Sequence, residues 1–97
     1  MTLTRQEIER HIKAMLVKYN AEYAILFGSY ARDEADENSD IDVIIVGGES
    51  FHLTDILALG EDLRELTKKN VDAFEIREVN KDTDFYRSIL CEGVRIA

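Results

Sequence analysis

The run Asp40-Ile41-Asp42-Val43-Ile44-Ile45-Val46, bounded by Gly47-Gly48, constrains this chain more than any other segment. Its β-branched body reads as a strand. Two aspartates open it, although strands disfavour Asp, whose side chain competes for the backbone. With a period of two, Asp40 and Asp42 lie on the same face as neighbours. Carboxylates held that close repel one another and raise a pKa unless a cation sits between them. Asp72 is placed alike inside Val71-Asp72-Ala73-Phe74. Acids clustered on rigid strands suit hard, oxygen-loving Mg²⁺, usually with phosphates completing its octahedron. Plainer readings stand beside this one. Asp40 could cap a loop, Asp42 could guard a strand edge, and Asp72 could face solvent or pair with Lys68 or Lys69.

Helical and strand patterns alternate around that run. Thr4-Arg5-Gln6-Glu7 has the form of a capping box, and Ile8, Ile12, Met15, Leu16 and Tyr19 follow at helical spacing up to Asn20. Tyr23-Ala24-Ile25-Leu26-Phe27 is a short apolar strand ending at Gly28. Ser29 to Ser39 is polar, with room for one turn of helix. Thr54 or Asp55 caps a helix carrying Ile56, Leu59, Leu63 and Leu66 on one face. Val71 to Ile76 is a third strand. Asp82 or Thr83 starts a last helix through Phe85, Ile89 and Leu90, stopped near Gly93, and Val94-Arg95-Ile96 adds a short strand. These elements predict an α/β (α+β) architecture, a single domain over residues 1–97 with one sheet flanked by helices.

Charge and cysteine usage narrow the function. Twelve basic against 20 acidic residues give a net charge of −8, which argues against gripping nucleic acid through phosphate neutralisation. A nucleotide brought in with a divalent cation is still compatible, because the cation reverses the local electrostatics. Cys91 stands alone, so neither a disulfide nor a cysteine zinc site is expected, and it reads as a small buried hydrophobe. His11 and His52 are too scattered for a histidine metal site. No apolar run approaches a membrane span, and Met1-Thr2-Leu3-Thr4-Arg5 does not open a signal peptide, so a cytoplasmic location is expected.

Phe27-Gly28-Ser29-Tyr30-Ala31-Arg32 precedes the aspartates. A strand ending in Gly-Ser and then a helical turn points N–H groups at whatever docks there, and Gly28 permits close backbone approach. Taken with Ser39-Asp40-Ile41-Asp42-Val43, the segment resembles the Gly-Ser … Asp-x-Asp signature of the DNA polymerase beta-type nucleotidyltransferases. The variant Gly-Ser-x-Ala-Arg … Ser-Asp-Ile-Asp is similar to that of their minimal (MNT-type) members. The resemblance spans nearly the whole chain, including Asp72 and Ile89-Leu90-Cys91-Glu92-Gly93-Val94.

The resemblance implies a mixed sheet flanked by helices and a Mg²⁺-dependent transfer of NMP, AMP from ATP in the first instance. It implies that Gly28, Ser29 and Arg32 hold the nucleotide. Asp40, Asp42 and Asp72 would ligate two Mg²⁺ ions, with Mn²⁺ possible, and Asp72 would also help deprotonate an acceptor hydroxyl. One departure is Asp33, which stands where many relatives carry glycine. If that position needs positive φ, Asp is among the less costly replacements, and it adds negative charge near the phosphates. The chain shows no residues left over for an acceptor-binding domain, so the acceptor is expected on a partner. The family implies a HEPN-domain ribonuclease toxin as that partner, with this chain as its antitoxin. The alternative is a non-catalytic antitoxin that neutralises the partner by binding alone. A free-standing enzyme acting on a small molecule has no pocket-forming domain to support it.

Overall fold

The computed structural model describes residues 3–97. Met1 and Thr2, which begin the segment read against a signal peptide, lie outside the described residues. Helix α1 (Arg5–Lys18) starts at the capping box: Thr4 Oγ1 accepts the Glu7 N–H at 3.1 Å, and Glu7 Oε1 accepts the Thr4 N–H at 3.3 Å. It ends at Tyr19, with Asn20 in the left-handed region at φ 57. Strand β1 (Tyr23–Phe27) passes directly into the single turn α2 (Gly28–Ala31). Strand β2 (Ile41–Val46), helix α3 (Asp55–Thr67), strand β3 (Val71–Glu75), helix α4 (Asp84–Glu92) and strand β4 (Val94–Ile96) complete the order, with a 3₁₀ turn at Ile76–Glu78.

The sheet is mixed, in the order β3-β2-β1-β4. β1 pairs antiparallel with both β2 and β4, while β2 and β3 run parallel across the α3 crossover. Ile41, Val43 and Ile45 of β2, with Ala24, Leu26, Val71 and Ile96, bury one face against Ile8, Ile12 and Leu16 of α1 and Leu59 and Leu63 of α3. Each fully buried aliphatic side chain contributes about 1.5–3 kcal/mol. α4 covers part of the other face, where Ile44 and Ile89 are buried. Edge-on contacts join Phe85 to Phe27 at 5.5 Å and to Phe74 at 6.2 Å between ring centroids. Partial cover leaves the end of that face nearest α2 open.

Several local expectations are corrected. β2 begins at Ile41, so Asp40 lies on its approach, and Ile76 leaves the sheet for the 3₁₀ turn. Thr54 makes no side-chain cap, and Asp55 instead accepts the His52 N–H at 3.0 Å. Leu66 is 47% exposed, because the contacts of α3 with α1 and the sheet run through Leu59 and Leu63 instead. Cys91 is exposed, because only Ile89 of α4 is buried against the sheet. Among the described residues, no helix is long and apolar enough to cross a membrane.

Candidate active site

The site is built by register. Phe27 pairs with Asp42 across the antiparallel β1–β2 ladder, and Asp42 pairs with Asp72 across the parallel β2–β3 ladder. Paired residues share a face, so the last residue of β1 and two carboxylates stand in one row. Gly28 follows at once, with φ 72, a conformation that suits glycine alone without strain. A Cβ on Gly28 would overlap Asp42 Oδ2 and stand 3.1 Å from its Cγ. The Gly-Ser turn and the strand carboxylate are therefore in direct apposition.

Asp42 is half-buried. Burial first, then the charge of Asp72, a hydrogen bond with Asp72 and the charge of Asp40 push its carboxyl up to about 6, while Arg32 pulls it back. Asp72 is exposed and, among the described residues, makes no ion pair, so neither Lys68 nor Lys69 neutralises it. Asp40 is exposed on the approach to β2 and acts on Asp42 through its charge. Among the described residues, no three acidic, imidazole or thiol groups already converge at ligating distance. Repulsion accounts for that: three carboxylates gather tightly only around a cation. Their oxygens are the hard donors that Mg²⁺ and Mn²⁺ take, and the raised Asp42 carboxyl reflects its burial first and the neighbouring negative charge second. The donor set fits a divalent ion.

Ser29 is half-buried as the second residue of α2, whose first N–H groups have no partner within the helix. Arg32 caps that turn and bridges Glu34 at 3.0 Å and Glu92 of α4 at 3.6 Å. Its hydrogen bond to Glu34 raises its pKa further. Asp33 has φ 57, so it takes the left-handed conformation expected of the glycine it stands in for. Its carboxylate meets Arg5 Nη1 of α1 at 3.4 Å, which offsets part of its added charge.

Two features escaped the sequence reading. Phe74 lies two residues beyond Asp72 on β3, hence on the same face, and with Phe85 leaves an aromatic edge partly exposed beside the carboxylates. The Asp72–Phe74 spacing was the available signal. Glu75 is buried at 1% exposure, accepting the Gly47 N–H at 3.3 Å, the Arg77 N–H at 2.6 Å and Arg77 Nε at 2.9 Å. It clamps the far end of β2 to β3, away from the candidate ligands.

A family profile described as Polymerase beta, Nucleotidyltransferase matches residues 10–97. The chain belongs to this nucleotidyltransferase family. The nucleotidyltransferase is 39% identical over 74 residues to a Methanocaldococcus jannaschii protein named "putative protein adenylyltransferase", covering 76% of this chain and 80% of that one. A crystal structure of a toxin–antitoxin with AMP-PNP contains a chain of the same fold, at 21% identity and a TM-score of 0.78, covering 92% of this chain and 72% of that one. A second match is to a structure of the tri-AMPylated Shewanella oneidensis HEPN toxin in complex with MNT antitoxin. It has 19% identity and a TM-score of 0.74, covering 97% of this chain and 72% of that one. Fold and family agree with the expectation drawn from Gly28-Ser29 and Asp40-Ile41-Asp42.

Proposed function

We propose that this nucleotidyltransferase moves AMP from ATP to a hydroxyl on a partner protein in the cytoplasm, and that it acts as antitoxin to a HEPN-domain toxin. The observation that carries the reading is the apposition of Gly28 to Asp42, with Asp72 beside it in register. A phosphate cradle and a carboxylate pair in contact are what nucleotidyl transfer requires of a protein. The names of the relative and of the two toxin–antitoxin structures support adenylyl transfer and a toxin partner.

In this reading the whole chain is one catalytic unit. Gly28 admits the triphosphate close to the backbone, the Ser29 hydroxyl donates to a phosphate oxygen, and Arg32 adds positive charge beside them. Asp40, Asp42 and Asp72 would hold Mg²⁺, as two ions, or Mn²⁺. Bound there, the ions supply neutralisation of the triphosphate and lower the pKa of the acceptor hydroxyl. Asp72 takes the hydroxyl proton as the acceptor oxygen attacks the α-phosphorus. The new O–P bond joins AMP to the acceptor, the α–β bridging bond breaks, and pyrophosphate leaves with its electron pair. The test is incubation with the neighbouring gene product, Mg²⁺ and ATP, followed by intact-mass measurement of both chains. A partner gaining whole AMP units is the outcome expected; an unmodified partner rejects the reading.

A second reading has its own observation. Arg32 is engaged by Glu34 and Glu92, as it would be in a module that silences its partner by occlusion alone. An Asp72→Asn chain that protects fully while leaving the partner's mass unchanged selects that reading.

A further inference from the structure

The last residue of α4 is an acid, Glu92, and no basic residue stands in the final turn of that helix. A carboxylate opposes the helix dipole there, so the placement is unfavourable unless a cation offsets it. That cation is Arg32, whose Nη1 lies 3.6 Å from Glu92 Oε2. The fold fixes both partners. Gly93 follows Glu92 and donates its N–H to the Ile89 carbonyl at 2.8 Å, and a Cβ on it would overlap Ile25 of β1. The end of α4 is thereby seated on β1, the strand from which the Gly28-Ser29 turn emerges. Phe85, near the start of α4, packs against Phe27 of the same strand. Arg32 closes the turn, its N–H donating to the Gly28 carbonyl at 3.2 Å.

Among the described residues, the guanidinium pairs with Glu34 and Glu92 and with none of Asp40, Asp42 and Asp72. The two glutamates act differently. Glu34 accepts from Arg32 Nε at 3.0 Å, a directed hydrogen bond, and its own N–H donates to the Ser29 carbonyl at 2.9 Å. Glu92 stands farther off, so it contributes charge rather than a directed bond. The Arg32 and Glu92 side chains are 43% and 50% exposed, and a pair so open to solvent adds little to stability. Its effect falls instead on what Arg32 can offer a ligand. Two carboxylates share one guanidinium, so its positive charge is largely offset before any phosphate arrives.

We propose that Glu92 is a positioning residue acting through Arg32: it draws the guanidinium toward the end of α4 and holds down the affinity of the site for a nucleoside triphosphate. The assignment rests on the reading above, in which Arg32 adds positive charge beside the phosphates. Triphosphate binding is then an exchange, with phosphate oxygens taking the place of the Glu92 carboxylate at Arg32. Neutralising Glu92 removes the competing charge without removing the hydrogen bond by which Glu34 keeps the side chain at the turn.

Calorimetric titration with AMP-PNP in the presence of Mg²⁺ tests it on the parent, Glu92→Gln, Arg32→Gln and the double variant. Glu92→Gln should bind AMP-PNP about twofold to fivefold more tightly than the parent. Raising the salt concentration should shrink that gain, since both partners are open to solvent. Arg32→Gln should bind more weakly than the parent, and adding Glu92→Gln to it should recover less than about 1.5-fold, because the two residues act as a coupled pair. An equal gain in both backgrounds would show that Glu92 merely repels the phosphates, and would overturn the assignment. Unchanged or weaker binding by Glu92→Gln would overturn it too. Intact-mass measurement of the partner, with Mg²⁺ and ATP, keeps this apart from the transfer reading. Tighter binding by Glu92→Gln beside an unmodified partner upholds the assignment and rejects transfer. AMP incorporation beside an affinity indifferent to Glu92 upholds transfer and overturns the assignment. No AMP-PNP binding by any of these proteins overturns both.

Discussion

Gly28 and Asp42 occupy adjoining space, and each limits what the other can be. Alanine at 28 must hold φ 72 and displace the Asp42 carboxylate. Gly28→Ala should cost about 1–2 kcal/mol of stability from the left-handed backbone. It should also abolish ATP binding, as calorimetry beside thermal denaturation would show. Asp42 carries a pH signature. Its folded carboxyl titrates at about 6 against an ordinary 3.8, so the folded state holds the proton more tightly. That contribution is complete below 3.8 and is lost as pH rises to about 6. Asp42→Asn should therefore be more stable than the parent at neutral pH by about 1 kcal/mol, a figure reduced for solvent access. The gap should close under more acidic conditions. Denaturant titrations with chelator at a series of pH values would reveal it, and a gap that does not change with pH would refute this account of Asp42.

At the scale of elements, the parallel β2–β3 ladder does two jobs. One end aligns Asp42 with Asp72; the other is clamped by Glu75. Asp72 stands on β3 while Asp42 stands on β2 with Asp40 on its approach, so in the two-ion reading proposed above Asp72 would serve one ion. Asp72→Asn should thus spare nucleotide affinity and abolish transfer, a loss confined to the transition state. Nucleotide titration together with single-turnover AMP incorporation resolves the two effects. Glu75→Ala would leave the Gly47 N–H and Arg77 without their buried acceptor. It should lower unfolding free energy by about 2–4 kcal/mol, measured by chemical denaturation. Because the clamp lies at the far end of the strands, the residual folded protein should keep its affinity for ATP.

Across the whole molecule, a net charge of −8 favours a partner with a basic face. Association with the partner should slow as salt rises, with dissociation much less affected; surface plasmon resonance at low and high ionic strength would detect this. The sequence by itself determined the elements, because their signals are local. The β-branched body of β2, the Thr4–Glu7 box and the Gly28-Ser29 turn each announce themselves within a few residues. Asp40, Asp42 and Asp72 were singled out for the same reason, as acids misplaced in apolar strands. Sheet order and register join residues far apart in the chain, so only the tertiary structure decided that Asp42 faces Asp72 and crowds Gly28. It also decided which helix residues meet a partner surface: Leu66 and Cys91 fit an inward pattern and yet lie exposed, because burial depends on what packs opposite. The cavity beside Asp40, where Arg64, Lys68 and Lys69 meet Glu37 and Asp40, joins the end of α3 to a loop some thirty residues earlier. No periodicity could reveal it, since such a cluster exists only once the crossover has folded back onto the sheet.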